Sequence, residues 1–130
     1  MKFAKVVFYI AGIWGLFLIT PLYFLFDYIG AKTPPAITHP EYFYGFVGVT
    51  LAWQIAFLVI GTDPVRYRPL IVPSIIEKVT YVIAICALVS QHRIPTFDLA
   101  FVATDSTLTV LFIAAWFIVP RSWQPASRAQ

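Results

Sequence analysis

The chain has 130 residues, of which 60% are hydrophobic and only 12% charged, and its formal net charge is +3. A soluble domain carries about 25% charged residues, and the nine basic residues here form no patch. Composition therefore argues against a soluble enzyme, a disordered chain and a nucleic-acid-binding module, and for a single integral membrane domain over residues 1–130. The lone cysteine, Cys86, excludes an internal disulfide, a CxxC redox pair and a cysteine zinc cage. It is expected to be a small core residue.

A bilayer core of about 30 Å takes about 20 apolar residues per helix. Four segments meet that requirement. The first runs over 6–26, preceded by Lys2 and Lys5. Its apolar run exceeds a signal-peptide h-region and no small-x-small site follows, so it reads as an uncleaved span. The second runs over 42–61, with Gln54 its one strongly polar residue. Thr38 and Glu41 match a T-x-x-E capping box in front of it, with Pro40 in the first turn. Asp63-Pro64 reads as a further N-cap, opening a short interfacial turn through Val65-Arg66-Tyr67-Arg68. The third span runs over 69–90 and contains Glu77 and Lys78. Its start is open: either Pro69, with Pro73 in the first turn, or Ser74, which would itself cap the helix. The fourth runs over 97–119 and contains Asp98 and Asp105.

Short loops make consecutive helices antiparallel neighbours, so the expected fold is all-α, an up-down-up-down four-helix bundle. With the N-terminus inside, the inner segments carry Lys2, Lys5, Arg66, Arg68, Arg121 and Arg128, and the outer loops only Lys32 and Arg93. The positive-inside rule then places both termini in the cytoplasm. Tyr23, Tyr28, Tyr42 and Tyr44 would form an outer aromatic belt, and Tyr67, Trp116 and Trp123 an inner one.

Helices in lipid approach closely where small residues line up. Gly48, Ala52 and Ala56 do so on the second span, with Gly45 nearby. Ala11, Gly12 and Gly15 do so on the first, and Ala84 and Ala87 on the third. Intra-bundle packing accounts for these stripes more simply than a dimer face.

Ionisable residues within a span are costly and face the bundle interior or a water cavity. At about 1.5 Å per residue, Trp14, Gln54, Glu77, Lys78 and Asp105 fall near one height close to the midplane. Tyr81 lies one turn from Glu77, and Asp98, Asp105 and Thr109 share a face. Such a layer reads either as a network that fixes helix register or as a pocket for a lipid, a quinone or another amphiphile. A proton or ion path would need further titratable groups along its route. A start at Ser74 would reduce the layer to Gln54 and Asp105. His39, Glu41, His92, Asp98 and Asp27 share the outer side, but their spacing matches no compact metal-ligand motif. No metal or haem site is expected, and no nucleophile-base pair or nucleotide motif is present.

Pro34-Pro35-Ala36-Ile37-Thr38-His39-Pro40-Glu41-Tyr42, then Tyr44-Gly45-Phe46, Leu51-Ala52-Trp53-Gln54 and Asp63-Pro64-Val65-Arg66-Tyr67-Arg68-Pro69-Leu70 ahead of Glu77-Lys78 form distinctive strings. In these, and in length and helix layout over nearly the whole chain, the protein resembles small four-helix bacterial inner-membrane proteins, loosely of the DoxX-like type. The resemblance implies a bacterial plasma-membrane location and no established activity or catalytic residues. The DoxX-like group includes accessory subunits of quinone-linked oxidoreductases, which adds quinone to the candidate ligands.

The sequence thus leads to a non-enzymatic multi-pass protein of the plasma membrane. It would bind an amphipathic ligand through Trp14, Gln54, Glu77, Lys78, Tyr81 and Asp105, or serve as an accessory subunit. No cofactor beyond a lipid or quinone is implied. The candidate partners are membrane lipids, a membrane protein or a second copy of the chain, and no nucleic acid. The competing reading is a membrane-embedded enzyme with Glu77 or Asp105 as general acid or base on a lipophilic substrate.

Overall fold

A computed structural model describes residues 2–121, which are helical throughout apart from short connections. Helix α1 (Lys2–Ile19) continues as a 3-10 segment to Phe24. Helix α2 spans Phe26–Lys32, α3 Pro40–Thr62, α4 Ile71–Ser90 and α5 Leu99–Ile118. Among the described residues there is no strand. Four helical stretches of 23 residues, Lys2–Phe24, Pro40–Thr62, Arg68–Ser90 and Thr96–Ile118, are long and apolar enough to cross a membrane. Each rises about 35 Å, against a hydrocarbon core of about 30 Å.

Local chemistry explains the boundaries. Pro21 lacks the N–H that would continue the α ladder, and the chain tightens into 3-10 turns at Thr20. Helix α2 lies where hydropathy alone indicates only a connection between spans. Asp27 in its first turn and Lys32 in its last complement its dipole, and Thr33 closes it with both N–H and Oγ1 on the Ile29 carbonyl.

The capping box before α3 is displaced by one residue. Pro40 is the first helical residue, so His39 occupies the N-cap and makes no capping bond, leaving Thr38 one position too early. Glu41 instead meets His39 Nδ1 at 3.3 Å. After α3, Asp63 Oδ1 accepts the Arg66 N–H at 3.1 Å, closing the turn expected at Asp63-Pro64.

The open question of the third span is answered in favour of the early start. A 3-10 turn covers Arg68–Leu70 and α4 follows without a break, with Pro73 in its first turn. Ser74 is buried and donates to the Leu70 carbonyl at 2.7 Å, so it is interior and caps nothing. Glu77 and Lys78 therefore lie about two turns into the helix.

The C-terminus of α4 ends in a Schellman motif. His92 N–H donates to Val89 O and Arg93 N–H to Leu88 O, both at 3.0 Å, with His92 at φ 56°. That backbone role accounts for the position of His92, one of the two histidines on the expected outer side.

Helix α1 packs on α3, α4 packs on α5, and α1 also touches α5; α3 meets α4 only lightly. On α1 and α3 the paired residues run in opposite order: Tyr9 lies against Gly61, Gly12 against Leu58, Gly15 against Gln54 and Tyr23 against Gly48. Phe8, Phe57 and Phe112 form the centre of the core, with Phe8 stacked on Phe112 at 4.5 Å and Phe57 edge-on to Phe112 at 5.1 Å. At the end of the bundle where α2 lies, Tyr44 stacks on Tyr23 and Phe26, which meets Phe43 edge-on.

The small-residue stripes divide. Ala11, Gly12 and Gly15 are buried in the α1–α3 seam as expected. On α3, however, Ala52 is exposed and a Cβ on Gly45 would meet nothing. The seam face of α3 presents Val47, Gln54, Phe57 and Gly61 instead, so α1 supplies the notches and α3 mostly fills them. Ala84 and Ala87 point away from the fold, and so does Cys86, which is not a core residue. The buried face of α4 is set by Ile71, Ser74 and Lys78, and positions 84, 86 and 87 lie off that stripe. Trp123 and Arg128, assigned above to the inner side, lie outside the described residues.

Candidate functional site: a charge cluster between two helices

Three charged side chains meet halfway along the α4–α5 pair. Lys78 is only 5% exposed. Its Nζ lies 3.3 Å from Asp105 Oδ1 and 3.4 Å from Glu77 Oε2. The same ammonium sits 5.4 Å from the centre of the Phe57 ring on α3, within cation–π range. Helix periodicity creates this arrangement. Position 78 continues the Ile71–Ser74 stripe toward the core, while Glu77 points about 100° away and reaches Lys78 from the flank. Asp105, on the second turn of α5, closes the cluster from the other helix.

The formal charge of the cluster is −1, and its bonding is uneven. Glu77 Oε2 is buried and has no hydrogen-bond partner; its 3.4 Å approach to Nζ is an ion pair without hydrogen-bond geometry. A buried ion pair is stabilising only when its groups satisfy each other, and breaking one side leaves an uncompensated charge. Thr109, on the same face as Asp105, turns its hydroxyl to the Asp105 backbone carbonyl at 2.7 Å and lends nothing to the carboxylate.

The expected polar layer is only partly assembled. Glu77, Lys78 and Asp105 come together. Tyr81, half-buried, lies on the next turn of α4. Gln54 is 2% exposed but belongs to the other seam: its Nε2 donates to Thr50 O at 2.9 Å and its carboxamide occupies the space a Cβ on Gly15 would take. Trp14, beside the Gly15–Gln54 contact, is on the wrong face. It is 52% exposed and points away from the bundle, because the neighbouring Gly12 and Gly15 turn the opposite face of α1 onto α3.

One residue that the sequence reading treated only as a topology marker has a specific role. Arg68, just before α4, donates from Nε to Val119 O at 3.0 Å and from an Nη to Trp116 O at 2.8 Å. Its guanidinium lies 3.6 Å from the centre of the Trp116 ring. It thereby satisfies carbonyls that the end of α5 leaves without helical partners, with a cation at the negative end of the helix dipole. The R-Y-R-P string gives the cation but no hint of its distant acceptors.

Among the described residues, no group of three or more His, Cys, Asp or Glu is placed to hold a metal ion. An open groove of about 460 Å³ lies apart from the charge cluster, between α1 and α5, with Lys2 at one end and Phe3, Val6, Ile10, Leu108 and Leu111 along its walls. The charged groups of the cluster are thus turned toward one another, and the walls of this groove are apolar apart from Lys2 at its end. Comparison with protein-family models, curated proteins and solved structures gives no match. The class that the fold itself defines is an all-helical chain with four helices long and apolar enough to cross a membrane.

Proposed function

We propose that this chain is a non-enzymatic, multi-pass protein of the bacterial plasma membrane that holds an amphipathic molecule of the bilayer, a lipid or a quinone, or serves as an accessory subunit that does so within a larger complex. In this reading the chain is an up-down-up-down bundle with both termini cytoplasmic, in keeping with the resemblance to small DoxX-like inner-membrane proteins. The basic residues Lys2, Lys5, Arg66 and Arg68 support that orientation, as does the opposite order of paired residues along α1 and α3.

The observation that carries the proposal is the separation of polar and apolar surfaces. Lys78, Glu77 and Asp105 are turned toward one another inside the bundle, while the groove between α1 and α5 is walled by apolar side chains and open to the surroundings. Beyond Lys2 at its end such a groove gives a polar solute no partner, whereas a hydrocarbon chain meets apolar walls along its length. The charge cluster, with Gln54 on the other seam, then sets helix register.

Native mass spectrometry of the protein extracted gently from its own membrane tests this. A co-purifying lipid or quinone supports ligand binding, and a stoichiometric second protein supports the accessory role. A bare monomer overturns both. Release of the chain by alkaline carbonate overturns the membrane assignment itself.

A second reading, an enzyme acting on a membrane-embedded substrate, draws on Glu77 Oε2, a buried carboxylate oxygen without a hydrogen-bond partner. Full complementation of a deletion phenotype by Glu77→Gln and by Asp105→Asn removes it.

A further inference from the structure

The groove between α1 and α5 has a polarity along its length. Lys2 forms one end, and from there the walls are apolar: Phe3, Val6 and Ile10 on α1, Leu108 and Leu111 on α5. Phe3, Val6 and Ile10 are all substantially exposed, so none of the described residues covers this surface. From Lys2 to Ile10 the helix rises about 12 Å, close to the thickness of one leaflet, which is about half of a 30 Å hydrocarbon core.

From these features we infer that the α1–α5 groove is a binding site for one acyl chain of an anionic glycerophospholipid, with Lys2 paired to the phosphate. This rests on the membrane reading proposed above and specifies which amphiphile is held and where. The charge decides the headgroup. Lys2 lines the mouth with its aliphatic stem, and its flexible ammonium, carried beyond that rim, complements a phosphodiester with net negative charge, whereas a zwitterionic headgroup offsets the same attraction with its own cation. The length decides the orientation: the phosphate sits at the level of Lys2, the chain runs inward past Val6, and its end reaches Ile10 and Leu108 near the middle of the span. A quinone fits less well, because its ring carbonyls need hydrogen-bond donors and the groove offers one, at its outermost point. In the proposed topology the lipid belongs to the cytoplasmic leaflet, where Lys2 lies.

The test uses the purified full chain in mild detergent, with dioleoyl phosphatidylglycerol and dioleoyl phosphatidylcholine in direct competition and retention read by native mass spectrometry. A basic side chain at an anionic lipid surface favours the anionic lipid about fivefold, and the wild type is expected to show that preference. Lys2→Gln should bring the two lipids to parity. Lys5→Gln, which removes an exposed cation that does not line the groove, should leave the preference in place. Val6→Trp, a substitution at an exposed position that fills the groove, should lower retention of both lipids. Inorganic phosphate should compete with neither, which separates a lipid headgroup from a free anion. Equal retention of the two lipids by the wild type, an unchanged preference in Lys2→Gln, loss of it in Lys5→Gln, or displacement of phosphatidylglycerol by a short-tailed ubiquinone each overturns the assignment. A chain that stays in the carbonate-washed membrane and retains lipid without preference sinks this site alone, whereas a chain washed off the membrane sinks the parent reading.

Discussion

Lys78 on α4 and Asp105 on α5 are joined across the helix pair by a 3.3 Å ion pair, with Lys78 almost completely buried. Twenty-seven positions separate them, and no other salt bridge among the described residues links two helices. Replacing Lys78 with Met leaves Glu77 and Asp105 as two partly buried carboxylates with no cation between them. The expected cost is about 3 kcal/mol. The triple variant Glu77→Gln, Lys78→Met, Asp105→Leu should recover much of it, because no charge is then left uncompensated in the cluster. Reversible unfolding in mixed micelles measures both; equal stability of the two variants would refute the lock.

Gly15 is a notch that Gln54 occupies, and Gly12 a close approach to the α3 backbone. Gly15→Ala should destabilise by about 2 kcal/mol, in the range for overpacking, and adding Gln54→Ala should restore most of the loss. Gly12→Ala meets the Gln54 main-chain carbonyl at 2.8 Å as well as the Leu58 side chain, so Gln54→Ala should not rescue it. The contrast between the two rescues, read from thermal unfolding, separates side-chain from backbone contact.

Arg68 holds two carbonyls of the α5 terminus and lies over Trp116. Arg68→Ala is expected to cost about 2 kcal/mol, the scale of hydrogen bonds with a charged partner. Arg68→Lys should recover little, since an ammonium cannot present the planar fork that bonds and stacks together. Faster hydrogen exchange confined to the last turn of α5 is the accompanying signature.

His92 adopts a left-handed conformation at the end of α4. That conformation costs a side-chain-bearing residue about 1 kcal/mol and glycine almost nothing. His92→Gly should therefore raise stability by about that amount. A drop in melting temperature would mean that the imidazole makes a contribution beyond the turn.

The proposed orientation is tested by thiol labelling in a Cys86→Ser background. Thr33→Cys should react with a membrane-impermeant maleimide in intact cells, and Arg66→Cys only after permeabilisation.

Much of this was legible in the sequence, and the failures share a cause. Hydropathy and charge give position along a helix axis, so the four long helices and the common height of Glu77, Lys78 and Asp105 could be read directly. Position around the axis depends on which face each neighbour takes. Trp14 faces outward, and Gln54 joins the α1–α3 seam instead of the charge cluster, because Gly12 and Gly15 decide which face of α1 is inside. The glycines were visible as a stripe; that Gln54 would fill the notch was not. The start of α4 stayed open in the sequence because Ser74 can cap a helix or bond back to the i−4 carbonyl, and only its burial selects the second. The acceptors of Arg68 lie 48 and 51 residues away, beyond any local pattern.

The seating of Gln54 against Gly15 has a mechanical consequence. For α1 to slide along α3 by one helical turn, about 5.4 Å, the carboxamide would have to leave its notch and either ride over Leu18 and Ile19 or take the Gly12 notch that Leu58 fills. A piston stroke of the first helix is therefore opposed by the seam itself. The compliant direction is a hinge between the α1–α3 pair and the α4–α5 pair on the side where α3 and α4 barely meet, and any shape change that answers an occupant of the α1–α5 groove is expected to be a rocking of one pair against the other.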